Sequence, residues 1–387
     1  MFDKLDVKTT LNDLYDNGIQ DDDFALIYKL YETSERRGVE REVITQGDFL
    51  GPILASSTVD TFGKECYEQQ KHLYWYRDKT PVSLLTMLDD VLSISNCGPE
   101  SIQIKEYVNK KSGSKKLQFA PDKTSRLHIG RKRPEYKCDN SYIDCWKSNR
   151  NEKSEIYMGG VKVKEAFSTK YLGEVISSDG TNTENIAARK KRGFWTGKEI
   201  CKILDNMCLG PLMFQKAVIL RNSMLVGTML TCSEAWYSVT DIELGQLEQA
   251  DKSLWCSLLE TAQTVPYDLV CLELGIEPLR YIIMRRRLIY LQHILKQKET
   301  SLIKQFLRTQ MSTLKKKDWG TTVKEDLFQL GLEISIEDIE IMPKKTYKKL
   351  IRQKIQEKAF EYLITKRNNQ MGMALLYPTK AWKFEML

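Results

Sequence analysis

The stretch LLTMLDDVLSIS, residues 84–95, decides how the first half of the chain is read. Two aspartates, Asp89 and Asp90, interrupt two apolar runs of strand length. Alternation puts Leu85 and Met87 on one face of the first run, and Leu92 and Ile94 on one face of the second. The pattern therefore predicts a β-hairpin with the aspartates at its tip. A carboxylate pair at a turn has two ordinary uses. Asp side chains hydrogen-bond turn backbone, and paired carboxylates hold hard cations such as Mg²⁺ through oxygen. The motif alone does not choose between them, and the acidic run Asp21–Asp23 shows that clustered carboxylates here need no site.

Working outward, the residues before the hairpin read as short helices. TTLNDLYDNGI sets Leu11, Leu14 and Tyr15 on one face and ends at Asn17-Gly18, and FALIYKLYE continues as a second helix. Asp3 and Asp6 are placed to cap the first of them, because a carboxylate at a helix start accepts its exposed N–H groups. Residues 108–160 are polar and poor in aliphatics, which suits surface loops around a strand such as RLHIG. YLGEVISSDG reads as a strand and a turn. After Asn182 the pattern is helical almost throughout. Leu247, Leu254 and Leu258 form one stripe, Leu288, Leu291 and Leu295 another. A third runs through Tyr347, Leu350, Ile351, Ile355, Ala359, Tyr362 and Leu363, with lysines and glutamates opposite it. The fold class expected is α+β, with a mixed N-terminal part followed by helices.

Charge is unevenly spread. The net charge is +7, but residues 1–100 carry 10 basic and 19 acidic side chains, and the remainder 49 and 33. A basic body points to a polyanionic partner, with solvated helix faces as the alternative source of the lysines. ARKKRGFW at 188–195 concentrates the charge as Arg189, Lys190, Lys191 and Arg192, followed by Phe194 and Trp195. Such a cluster suits a nucleic-acid backbone, with an aromatic packed beneath. Arg285, Arg286 and Arg287 form a second cluster. Consecutive helical residues diverge in direction, so one or two of these are expected to pair with acidic neighbours. Nine cysteines at irregular spacing argue for reduced thiols, and Cys138 and Cys145 lack the further ligands of a zinc site. No run of 18 apolar residues and no basic-then-apolar leader occurs, so an intracellular location, cytoplasmic or nuclear, is expected.

Several segments occur in an order that carries more than any one of them. TQGDFLGPIL (45–54), MLDDVLSIS (87–95), KKLQFAPDKT (115–124) and KYLGEVIS (170–177) together resemble the palm of a reverse transcriptase of the non-LTR, LINE-like retrotransposon class. LRNSMLVGTMLTCSEAWYSVT (220–240) resembles the thumb helices of such enzymes, and VDTFGKECYE, PLRYIIMRRRLIYLQHIL and DWGTTVKEDL resemble segments of one animal branch.

The resemblance implies a partial antiparallel palm over 1–182, a helical thumb over 183–275 and a C-terminal helical region over 276–387. It implies that Asp89 and Asp90 are catalytic ligands of Mg²⁺, that Lys123 meets the departing phosphate, and that Gln46 and Gly47 lie along template and nucleotide. Tyr171, Leu172 and Gly173 would pack the primer grip, and the partners would be an RNA template and a DNA primer. Two departures matter. Such sites use a third carboxylate before a Phe-Asp, which aligns here with Phe2 and Asp3, so the third would precede Met1. The segment between IYKLYETSERR and VITQGD is also shorter than the family pattern. The expectation is a truncated RNA-directed DNA polymerase, inactive alone. A non-catalytic nucleic-acid-binding protein and a helical interaction protein stand as alternatives.

Overall fold

In the computed structural model, the residues described are 6–35, 51–70, 75–77, 80–82, 84–87, 90–95, 98–114, 123–127, 129, 157–158, 161–207, 212–313, 315 and 318–369. The chain is mixed α+β, mostly helical, with small sheets of few strands. It divides into two units, one of residues 1–173 with 178–180, the other of residues 174–177 with 181–387.

The first unit opens with α1 (Val7–Asp16), α2 (Asp21–Glu35) and α3 (Gly51–Gln70). Asp6 caps α1 as expected, accepting the Thr9 N–H at 2.9 Å; Asp3 lies outside the described residues. Strands β1 (Trp75–Tyr76), β2 (Thr80–Pro81), β3 (Leu84–Met87) and β4 (Asp90–Ser93) follow, then α4 (Gly98–Ser114). The last of these helices runs into the stretch read from composition as loop. Next come β5 (Ser125–Leu127), β6 (Tyr157–Met158), β7 (Val161–Lys162), β8 (Lys164–Ala166) and β9 (Ser168–Tyr171). The core joins Leu11, Leu14, Leu54, Phe62, Leu84 and Ile104.

The described strands do not join into one continuous antiparallel sheet. They pair two at a time: β1 with β2, β3 with β4 and β6 with β7 are antiparallel, while β5 and β8 run parallel. Strands of two to four residues supply few ladder hydrogen bonds, and the helices rather than a continuous sheet hold this unit's core.

The second unit begins with β10 (Glu174–Ser177) and continues as helices: α5 (Thr183–Asp205), α6 (Met213–Leu220), a π-helical turn (Arg221–Leu225), α7 (Val226–Met229), α8 (Asp241–Leu258) and α9 (Tyr267–Leu274). α10 (Leu279–Leu295), α11 (Leu302–Ser312), α12 (Trp319–Gln329), α13 (Ile336–Ile341) and α14 (Lys344–Asn369) complete it. Thr240 and Glu243 close a reciprocal capping box at the start of α8. Two adjoining cores result. The first gathers Ile186, Ile200, Leu247, Leu254, Trp255 and Leu279; the second gathers Leu288, Leu291, Val323, Tyr347, Ile351 and Ile355. Each fully buried Leu or Ile contributes roughly 1.5–3 kcal/mol. The apolar stripes on α8, α10 and α14 thus face the cores as their spacing requires, with Leu258, Leu350 and Tyr362 half-buried at the margins.

One polar group sits inside the first core. Arg221 donates through Nε to Asp251 Oδ1 at 2.9 Å and through Nη2 to Oδ2 at 2.5 Å, while the Tyr267 hydroxyl donates to Oδ2 at 2.8 Å. Arg221 also reaches the Glu277 carbonyl at 3.0 Å. A buried ion pair of this kind is tolerable only when the remaining donors and acceptors are also engaged, as here.

Candidate functional site

The hairpin forms as the aspartate pair predicted. β3 pairs with β4 in the register Leu84↔Ser93, Leu85↔Leu92, Thr86↔Val91 and Met87↔Asp90. Asp90 opens β4 and is exposed; Asp89 lies outside the described residues. Alternation left open which face meets the helices, and packing decides it. Leu84 is buried and Val91 packs beside the core, so the Leu84–Thr86–Val91 face is turned to α3. Leu85, Asp90 and Leu92 share the other face. What seats the hairpin is Gly63 on α3. A Cβ there would lie 2.6 Å from Thr86 Oγ1 and 2.8 Å from Thr86 Cγ2. Only a residue without Cβ lets the two elements approach so closely.

Tyr171, at the end of β9, stands near this tip. Burial first, and then the negative charge of Asp90, raise its phenol above the usual range. Leu172 and Gly173 behind it both hold positive φ, 48° and 85°, the pattern of a tight two-residue turn. Lys123 is exposed in a turn just before β5. Gln46 and Gly47 lie outside the described residues, as do Cys138 and Cys145. Cys66, Cys201, Cys232, Cys256 and Cys271 are free thiols. Among the described residues no group of three His, Cys, Asp or Glu converges as a metal site. Asp90 alone gives Mg²⁺ one carboxylate, too few to fit the ion without Asp89 and a further ligand.

The basic cluster on α5 separates into different roles. Arg189 was expected at a nucleic-acid backbone, but it is 1% exposed. Its guanidinium pairs with Glu174 on β10 and donates to the Thr228 carbonyl at 3.3 Å. Glu174 also accepts from the Asn185 amide and from Trp236 Nε1 at 3.2 Å, while Asn185 Oδ1 accepts the Val175 N–H at 3.2 Å. Arg189 is therefore a clamp that fastens β10 to α5. Lys190 is half-buried, donating to Gln249 Oε1 at 2.8 Å and lying 5.9 Å from the Phe194 ring. Lys191 and Arg192 are exposed and form no ion pair among the described residues.

The aromatic pair divides too. Phe194 packs against the first core, and Trp195 faces outward at 62% exposure with Lys198 Nζ 5.7 Å from its ring. Lys191, Arg192, Trp195 and Lys198 recur at helical spacing, so they share the outward face of α5. The inward face can lie close to α8 because Gly193 is there: a Cβ would meet Met229 Sδ at 2.7 Å and Ala250 Cβ at 3.0 Å.

The second cluster contributes no free cation. Arg285 pairs with Glu277 at 2.6 Å, and Arg287 grips Asp326 at 2.6 and 3.1 Å and the Trp236 carbonyl at 3.0 Å. Arg286 donates to the Leu230 carbonyl, and burial lowers its pKa. Two of the three pair with acidic neighbours, as the spacing led one to expect, and Arg286 is engaged by backbone.

Missed by that reading was Glu248 on α8. Its carboxyl is buried, its Oε1 accepts no hydrogen bond, and Arg280 Nε is 4.0 Å away. Burial lifts its pKa to about 7, opposed by Arg280 and assisted by Asp268, Asp251 and Asp241. Nothing in the local sequence marks it, because Arg280 comes from another helix. No helix among the described residues is long and apolar enough to cross a membrane. Compared with models of protein families and with curated proteins, the chain matches none.

Proposed function

We propose that this chain is the palm and thumb portion of a reverse transcriptase of the non-LTR retrotransposon class, holding a primer–template without extending it. The observation that carries this reading is the β3–β4 register, which sets Asp90 exposed at the start of the second strand of a hairpin. Tyr171, from the segment that by resemblance packs the primer grip, has Asp90 as its charged neighbour. The outward face of α5 adds what a thumb needs. Lys191, Arg192 and Lys198 supply phosphate contacts, and Trp195 supplies a ring on which a base or sugar packs.

In this reading Asp89 and Asp90 are the carboxylates for Mg²⁺, which when bound would polarise the attacking hydroxyl and the leaving phosphate. Gln46 and Gly47 lie along the template, and Lys123 serves the departing phosphate. Among the described residues no further carboxylates converge with Asp90, so binding without turnover is the behaviour proposed. The test is primer extension by the purified chain with Mg²⁺ or Mn²⁺, beside a binding assay on the same primer–template. Binding without extension is expected. Extension that disappears in Asp89→Ala overturns the claim of incompleteness, and absence of binding overturns the reading as a whole.

A further inference from the structure

We propose that the outer face of the N-terminal half of α14 is a second polynucleotide-binding surface. Lys345, Lys348, Lys349 and Arg352 fall within an arc of roughly 100° and along about 10 Å of the helix. With Gln353 and Gln356 they line a recess of about 500 Å³. The mount is rigid. Tyr347, Ile351 and Ile355 are buried on the other side, and the Tyr347 hydroxyl donates to the Leu288 carbonyl at 3.1 Å.

The distribution of charge along this helix is what points to a ligand. Further along, lysines are neutralised by their neighbours: Lys354 by Glu357 and Lys358 by Glu361, each at 2.8 Å. The four cations of the first turns have no ion-pair partner among the described residues. The first turn also contains no acidic residue, although the positive end of a helix dipole favours one. Repulsion among these groups and with the dipole works against the helix itself, and a polyanion relieves it.

A polynucleotide fits better than a lipid surface. The row carries no apolar side chain to insert below headgroups, and it is extended by Gln353, whose amide donates to Glu357 at 2.9 Å, and by Gln356, a group suited to phosphate and sugar oxygens. This inference stands on α14 alone and does not depend on descent from a polymerase.

The test uses the full chain with Lys345→Glu, Lys349→Glu and Arg352→Glu combined, all three being exposed positions. Probes are an unstructured oligouridylate, a DNA duplex and phosphatidylserine vesicles, each titrated with salt. For the oligouridylate, affinity is expected to fall by about tenfold or more and the log–log salt slope to shrink by about 2. The neutralising triple Gln variant should fall between wild type and reversal, which separates charge from misfolding. A Lys191→Glu/Arg192→Glu variant run in parallel keeps the two surfaces distinguishable, since loss at one face alone identifies which reading fails. Unchanged affinity and slope in the α14 variant overturn the proposal, and so does an effect confined to the vesicles.

Discussion

Gly63 is the residue on which the seating of the carboxylate hairpin turns. Its missing Cβ is the space occupied by the Thr86 side chain, so Gly63→Ala forces Thr86 and β3 away from α3. Overpacking of this kind costs about 1–3 kcal/mol. Chemical denaturation should show that loss, and Gly63→Ala combined with Thr86→Ala should recover part of it. Purely additive losses would contradict the contact. The sequence displays Gly63 inside VDTFGKECYE without saying what it faces, because its partner is a strand threonine more than twenty residues on. The hairpin itself could be read from alternation, whereas its buried face could not. Leucines stand on both faces, and α3 selects Leu84 over Leu85. Glu248 gives a second test at this scale. Its pKa in the fold is about 7 against an ordinary 4.5, so between those values the folded chain keeps a proton that the unfolded chain has released. Stability from this group is therefore present at low pH and lost as pH rises through that window. Glu248→Gln should raise the unfolding midpoint relative to wild type at about pH 8, the difference vanishing near pH 4–5. A constant difference at all pH values would contradict the assignment.

At the scale of elements, α5 shows why a run of like charges cannot be assigned from composition. Arg189, Lys190, Lys191 and Arg192 are chemically similar, and each points about 100° from the last. Which of them turns inward is decided by Glu174, 15 residues before Arg189 and on β10. The two ends of the cluster should therefore respond oppositely to mutation. Arg189→Ala should cost about 3 kcal/mol, since it strands a partly buried carboxylate that also serves Asn185 and Trp236. Lys191→Glu/Arg192→Glu should leave the unfolding midpoint within about 0.5 kcal/mol of wild type, as both are exposed. Thermal denaturation of the two variants checks the pair, and equal destabilisation would refute the division. The helices were readable where periodicity is strong, as on α8, α10 and α14. Loop composition misled at α4, whose polar lysine-rich end continues as helix to Ser114.

For the whole molecule, the α+β class and the helical second half follow from the sequence pattern, and the charge asymmetry has a structural counterpart. Several candidate cations are consumed internally: Arg189, Arg221, Arg285 and Arg287 all form ion pairs within the second unit. Of the outward cations among the described residues, two groups stand together on helix faces, on α5 and α14. Pairing of that kind depends on contacts between distant segments, so the sequence showed the excess without showing where it is free. The most direct measurement of the central claim is the salt dependence of primer–template binding by wild type and by Lys191→Glu/Arg192→Glu. The account predicts salt-sensitive wild-type binding, and for the variant an affinity lower by about tenfold with a log–log slope smaller by about 2. Equal affinity and equal slope would contradict it.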